Sequence, residues 1–182
     1  MDNPLGFYKA VFVMRSTDPG TLRIVDLWKF RSEKSRKWYI VEVERFSNHF
    51  LGLKFYWKGV AASKERYSML TNDHEPRKIV MSCIMIMLHY FNEDNCTSFG
   101  FVAAPDLNCN GRNECPNKRF RFYRRMMLSL FSSDHFIQVS DANSSIYLLV
   151  NKEMLESRKI SLSQIEQEIS RLYEGNFTLV SD

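Results

Sequence analysis

The stretch that decides the fold runs from Ser98 to Phe131. It reads SFGFVAAPD at 98–106, then a polar loop, LNCNGRNECPN, at 107–117, and then KRFRFYRRMMLSLF at 118–131. An uninterrupted run of small and apolar residues that ends at a proline is typical of a buried strand. The loop consists mostly of turn-forming residues. We therefore expect a central strand over 98–104, a turn-rich connection, and a helix that begins near Pro116 and runs to about Phe131.

The predicted helix has an apolar face and a basic face. Its inner residues would be Phe120, Tyr123, Met127, Leu130 and Phe131. Five cations lie within residues 118–125, and four of them would point largely outward: Lys118, Arg121, Arg124 and Arg125. Interleaved cations and aromatic rings suit a nucleic acid, through phosphate contacts and base stacking. A basic helix face is more often only a solvated surface that covers a core. These four residues are the predicted binding residues, and both interpretations stay open.

The chain before this stretch predicts an antiparallel meander. Its four segments are rich in aromatic and β-branched residues: Phe7 to Arg15, Leu22 to Phe30, Trp38 to Arg45 and Phe50 to Trp57. In the third segment, Tyr39, Val41 and Val43 alternate with more polar residues and would share one face. This alternation is typical of a sheet that has one buried face and one wet face.

A helix is predicted between the meander and the central strand. Asn72 or Asp73 can cap it, and Pro76 falls in its first turn, where a missing N–H has little effect. Apolar residues recur at helical spacing over 80–91, and the helix is expected to end near Asn92. The width of the apolar face predicts a deeply buried helix.

The last third of the chain predicts a hairpin and one more helix. Phe136 to Val139 and Ser145 to Val150 flank a run of turn residues, Ser161 can cap the final helix, and Gly175 can end it. The whole pattern predicts a single α+β domain over residues 1–182. We expect a twisted, mainly antiparallel sheet of about six to seven strands with helices packed on it.

The composition is that of an ordinary globular protein. The chain has 182 residues and a net charge of +4, which permits an anionic partner without requiring one. The start of the chain lacks a basic segment followed by an apolar one, so no signal peptide is expected. The longest apolar run, Ile79 to Leu88, is too short to cross a bilayer. We predict a cytoplasmic protein that makes no contact with membranes.

The cysteines do not form a metal-binding pattern. Cys109 and Cys115 flank the polar loop, and Cys96 and His135 could lie near them. The spacing between the loop cysteines is wider than that of a zinc knuckle, and the sequence contains no second closely spaced pair. We predict reduced thiols and no metal site, and the role of the loop cysteines stays open.

The order of elements from Trp38 to Val150 resembles the core of the GNAT N-acetyltransferases. In that family, a strand and helix in the position of Ser98 to Phe131 build the acyl-CoA cleft, and a tyrosine on the helix often protonates the leaving thiolate. The resemblance implies acetyl-CoA as cofactor and Tyr123 as the matching residue. The segment in the position of the family's Gly-rich pyrophosphate loop, Ser68 to Arg77, contains no glycine.

The chain also resembles a group of small bacterial proteins that is known as a domain of unknown function. The residues that carry this resemblance are KIVMSCIMIMLHYF at 78–91, SFGFVAAPD at 98–106 and RFRFYRRM at 119–126. The resemblance implies the same fold and no assigned activity.

The predicted function is non-catalytic binding of a macromolecular partner, either another protein or a second copy of the chain, without a cofactor. The 9 methionines and 14 phenylalanines suit such an interface, although core packing also uses them. One alternative is an acetyl-CoA-dependent acetyltransferase or a degenerate relative of one. The other is a nucleic-acid-binding protein that uses the basic helix 118–125.

Overall fold

The computed structural model describes residues 6–20, 22–47, 49–69, 73–104, 118–157, 159–173 and 180–181. The polar loop with Cys109 and Cys115, the candidate cap Asn72 and the predicted helix end at Gly175 lie outside the described residues. The chain forms two compact units. Unit 1 is Met1–Phe46 and Leu51–Asn95, and unit 2 is Ser47–Phe50 and Cys96–Asp182. A single domain over 1–182 stays a prediction.

Unit 1 begins with an antiparallel meander, as the sequence predicts. Its strands are β1 (Val11–Thr17), β2 (Ile24–Arg31), β3 (Trp38–Arg45) and β4 (Phe50–Trp57), each paired with the next along the chain. The bounds of β3 and β4 match the prediction. β1 begins at Val11 rather than at Phe7. β2 begins after Leu22, because the φ of Leu22 is 57°, in the left-handed region that ends extended structure.

One face of the meander is buried. Tyr39, Val41 and Val43 are at most 1% exposed, which confirms the alternation predicted for β3. Tyr39 pairs with the buried Phe30 of β2, and Val43 pairs with the buried Leu53 of β4, so the buried row of β3 continues into its neighbours. A 3-10 helix (Lys58–Val60) and a series of turns follow β4.

Helix α1 (Pro76–Glu93) packs on this unit with most of its apolar residues buried. Pro76 is its first residue, and the helix ends within one residue of the predicted position. The prediction that Asp73 caps the helix is wrong. The cap position is Glu75, and Asp73 instead accepts hydrogen bonds from Lys37 Nζ and Tyr39 OH, both at 2.6 Å. Among the described residues, no helix is long and apolar enough to cross a membrane.

Unit 2 combines a second antiparallel set of strands with three helices. Its elements in chain order are β5 (Ser98–Val102), α2 (Lys118–Leu130), β6 (Phe136–Asp141), β7 (Ile146–Asn151), α3 (Lys152–Glu156), α4 (Leu162–Tyr173) and β8 (Val180–Ser181). β7 lies between β5 and β6, and β8 pairs with the other side of β6. All six residues of β7 are buried, so this strand is the centre of the unit.

Two local hydrogen bonds position the last helices. Ser161 Oγ accepts a hydrogen bond from the backbone N–H of Gln164 at 3.2 Å, which confirms the predicted cap of α4. The side-chain oxygen of Asn151 accepts one from the backbone N–H of Met154 at 3.1 Å and starts α3, which the sequence patterns did not predict. Ile165 of α4 is buried.

The inner face of α2 differs in part from the prediction. Phe120 and Met127 are buried as expected. Leu130 is 42% exposed, so its predicted inward position is wrong. Met126, one turn earlier on the same side of the helix, is buried, and Leu130 is the last residue of α2. The buried stripe therefore ends one turn before the end of the helix.

The described elements confirm the α+β class with mainly antiparallel strands. The part of the chain that the structure describes contains eight strands when the two-residue β8 is counted, against the six to seven predicted. The GNAT-like order of elements is not confirmed. The acetyl-CoA site that this order implies therefore stays a prediction.

Candidate anion-binding cleft

The hairpin that joins β2 to β3 brings a cation next to an aromatic ring. Arg31 pairs with Trp38 at the end of the ladder. The backbone N–H of Ser32 donates to Lys37 O at 2.9 Å, and Arg36 adopts a φ of 60°, so the chain reverses within a few residues. Arg31 Nε then donates to Arg36 O at 3.1 Å, which holds both arginines at the same tip of the sheet.

The segment before β1 forms the opposite wall of the cleft. The backbone N–H of Tyr8 donates to Ser82 Oγ on α1 at 2.8 Å, and Tyr8 OH donates to Glu75 Oε2 at 2.6 Å. The other oxygen of Glu75 accepts a hydrogen bond from Ser32 Oγ. Because one carboxylate binds both walls, partly buried hydrogen bonds set the position of the N-terminal segment relative to the hairpin.

The cleft between these walls has a volume of about 480 Å³ and an excess of positive charge. Its lining includes four cations, Lys9, Lys29, Arg31 and Arg36, and one carboxylate, that of Glu33. Glu33 Oε2 lies 3.5 Å from Lys78 Nζ, so a cation outside the lining already offsets its charge. A concave site with several cations and little compensating charge attracts anions.

Trp38 provides the cleft with an aromatic surface and is 39% exposed. Lys29 Nζ lies 5.4 Å from the centre of its ring, and Arg31 Cζ lies 5.8 Å from it. Both distances are in the range of cation–π contacts. The arrangement suits a ligand in which a negative charge stands next to a planar ring.

A second charged cluster of unit 1 surrounds Asp26, which is 0% exposed. Arg15 donates to both carboxylate oxygens at 2.6 and 3.0 Å, and Arg45 Nη2 and Tyr90 OH donate to Oδ2 at 2.9 and 2.7 Å. Burial alone would raise the pKa of Asp26, but the hydrogen bonds from Arg15, Tyr90 and Arg45 lower it below its ordinary value. Trp28 Nε1 donates to Tyr90 OH at 2.9 Å and extends the network. All the polar groups named here pair with each other, which is typical of a structural cluster.

The lowered pKa of Asp26 predicts a loss of stability in acid. Hydrogen bonds from Lys37 and Tyr39 likewise outweigh burial and lower the pKa of Asp73. The unfolded carboxyls titrate near pH 4, so their contribution to stability is complete above about pH 5 and is lost as the pH falls through the folded pKa. Urea unfolding between pH 3 and 6 measures this slope. Asp26→Asn is expected to reduce the slope, and an identical slope in that variant would contradict the assignment.

The predicted binding residues of unit 2 all lie on α2. Lys118, Arg121 and Arg125 are exposed, and Arg124 is half-buried. The structure therefore places the basic face on the surface, where the sequence pattern puts it. Whether this face binds nucleic acid stays a prediction.

Tyr123, the residue implied by the acetyltransferase resemblance, is half-buried on α2. Its ring centre lies 6.4 Å from that of Phe101 on β5, in an edge-to-face arrangement. A catalytic role for Tyr123 stays a prediction. In the part of the chain that the structure describes, no cluster of three or more His, Cys, Asp or Glu side chains could hold a metal.

The cleft was not predicted from the sequence, because its residues form no motif. Lys29 and Arg31 share one face of β2 through strand alternation, and Trp38 follows them on the neighbouring strand. The pairing of β2 with β3 in a hairpin could have predicted that these three side chains are neighbours. Lys9 comes from the segment before β1, and only the folded chain brings it to the same place.

No protein-family model, curated protein or solved structure matches this chain. The two resemblances given above therefore stay predictions. The case for a function depends on the geometry and charge of the cleft.

Proposed function

We propose that the protein is a non-catalytic cytoplasmic binding protein whose macromolecular partner is a single-stranded nucleic acid, and that this partner binds in the cleft of unit 1. One observation carries the proposal: four cations and an exposed tryptophan line a cleft whose single carboxylate is already near another cation. Phosphates bind to lysine and arginine, and bases stack on aromatic rings. The cleft combines both kinds of group within one hairpin and its neighbouring segment.

The size of the cleft favours a flexible single strand over a duplex. Its volume of about 480 Å³ lies in the range of pockets that hold small ligands, so it has room for one or two nucleotides. A single strand can turn an unstacked base toward Trp38, whereas the bases of a duplex are stacked on each other.

The indole favours a nucleic acid over an acidic peptide. Carboxylates on a peptide would need only the cations, and Trp38 would contribute little to their binding. Stacking of a base on an aromatic ring contributes about 1–3 kcal/mol, so a nucleic acid uses both parts of the cleft. The acetyltransferase alternative would use neither the cations nor the indole of the cleft.

The test is the binding of a fluorescein-labelled ten-nucleotide RNA of uridines, followed by anisotropy at several salt concentrations. The dissociation constant is expected to rise with salt, with a slope of about 0.7 per phosphate neutralised. Lys9→Glu combined with Arg31→Glu is expected to weaken binding by at least about tenfold, since both side chains are exposed and their reversal repels phosphates. Trp38→Ala is expected to weaken binding by about tenfold through lost stacking, with a weaker effect on the salt slope.

The matched control is Arg121→Glu combined with Arg125→Glu, which makes the same change of charge on α2. This variant is expected to bind like the wild type. If it loses binding while the cleft variant does not, the nucleic-acid site is the helix 118–125 and the cleft proposal is wrong.

A ten-residue glutamate peptide is expected to compete poorly, and equal competition by the peptide would contradict a nucleic-acid partner. Far-UV circular dichroism checks that all variants fold.

A further inference from the structure

Strand β1 is an edge strand of unit 1 with apolar side chains on both of its faces. Among the described strands it pairs with β2 alone. Val11, Phe12, Val13 and Met14 are 45–52% exposed. The outer edge of such a strand presents backbone N–H and C=O groups that can pair with another strand, and exposed apolar residues favour that pairing.

A register shift in β1 restricts which strand can pair with it. Phe12 lies opposite Trp28 and Met14 lies opposite Leu27, so Val13 is an extra residue with no counterpart on β2. This is the pattern of a β-bulge. A regular strand added at the outer edge would meet the extra residue and lose register on one side of it. A strand that carries an extra residue at the same place would keep register on both sides.

We propose that this strand is β1 of a second copy of the chain, and that the protein forms a symmetric dimer through antiparallel pairing of β1 with β1. The two-fold axis passes at Val13, so that the extra residue of each copy faces the extra residue of the other. A two-fold axis pairs one surface with itself, as this arrangement requires. The dimer shares Lys9 and Val11 with the lining of the cleft, but its test uses no nucleic acid, so the two proposals can fail separately.

The charges of the strand are compatible with this register. Pairing about Val13 places Phe12 opposite Met14, and a contact between an aromatic ring and a thioether is favourable. Arg15 falls opposite Val11, and Lys9 falls opposite Thr17. No two like charges therefore face each other. Moving the axis by one residue toward Phe12 would place Lys9 against Arg15.

The test is a charge exchange on the axis, measured by sedimentation equilibrium of the full-length chain. The wild type is expected to show a mass that rises with concentration to that of a dimer. Val13→Lys and Val13→Glu are each expected to stay monomeric, because two like charges then meet at the axis. An equimolar mixture of the two variants is expected to regain the dimer. A defect in folding would not be repaired by mixing, and Val13 is exposed and unpaired with β2, so both variants are expected to fold.

A cross-link tests the register. Opposed residues of antiparallel strands have Cα atoms about 4.5–5.5 Å apart, a distance that a disulfide can span. Val13→Cys is therefore expected to form a disulfide-linked dimer under mild oxidation, whereas Val11→Cys and the wild type are not. A wild type that is monomeric at all concentrations, a dimeric Val13→Lys variant, or a mixture that stays monomeric would each overturn the proposal. Cross-linking through Val11→Cys instead of Val13→Cys would overturn the register.

Discussion

Replacing Arg15 and Arg45 together by methionine is expected to destabilise the protein by about 3–5 kcal/mol. Both guanidinium groups bind the carboxylate of Asp26, which is 0% exposed. Without them the carboxylate would keep only the hydrogen bond from Tyr90 and would stand as an uncompensated buried charge. Each single replacement is expected to have a smaller effect, because the other arginine still binds. Urea unfolding at pH 7 measures the change in the free energy of unfolding.

A third substitution distinguishes the effect of the buried charge on stability from the effect of lost packing. Adding Asp26→Asn to the double variant removes the carboxylate and is expected to recover part of the lost stability. The same substitution in the wild-type chain is expected to destabilise it, because the hydrogen bonds to a charged acceptor are then weakened. The sign of the Asp26→Asn effect should therefore reverse between the two backgrounds. An equal loss in both would show that the arginines act through packing alone.

Gly100→Ala is expected to destabilise the protein by about 1–3 kcal/mol through overpacking in unit 2. A methyl group at Gly100 of β5 would lie 2.6 Å from Phe50 Cζ and 2.9 Å from Leu148 Cδ2, well inside normal contact. Phe50 and Leu148 are at most 5% exposed, so neither side chain can move outward without disturbing its neighbours. Thermal unfolding followed by circular dichroism measures the effect.

Phe50→Leu provides the matched test, because it removes the ring atom nearest to the new methyl group. The combination of Gly100→Ala with Phe50→Leu is expected to reduce stability by less than the sum of the two single changes. Gly20→Ala is the control. A methyl group there would meet only Asp18 Oδ1, at 3.4 Å in an exposed turn, and little loss is expected. Strict additivity of the Gly100 and Phe50 changes would contradict the proposed contact.

The elements that the sequence predicted well are those whose signals are local. The alternation in β3 depends on neighbouring residues only, and it predicted both the bounds of the strand and its buried row. Pro76 marks the start of α1, and Ser161 caps α4, because a missing N–H and a hydroxyl oxygen act within one turn. The basic face of α2 also follows from helical spacing, and its exposed cations lie where the pattern puts them.

The features that the sequence did not reveal depend on distant residues. Asp26 is a charged residue within β2, yet it is buried because Arg15, Arg45 and Tyr90 bind its carboxylate. These three residues lie 11, 19 and 64 positions away from Asp26 in the sequence. The sequence predicted Asp73 as a candidate helix cap. In the structure, Asp73 binds Lys37 and Tyr39, which lie 36 and 34 positions away in the sequence.

The sequence by itself determined the α+β class, the meander and the main helices, because periodicity and capping act over a few residues. Only the tertiary structure decided where the charges of unit 1 meet. It brings Lys9, Arg31 and Trp38 into one cleft. It also makes Val13 the extra residue of a β-bulge on an exposed edge strand. The physical reason is that electrostatic and strand-pairing energies depend on distance in space, which local patterns do not encode.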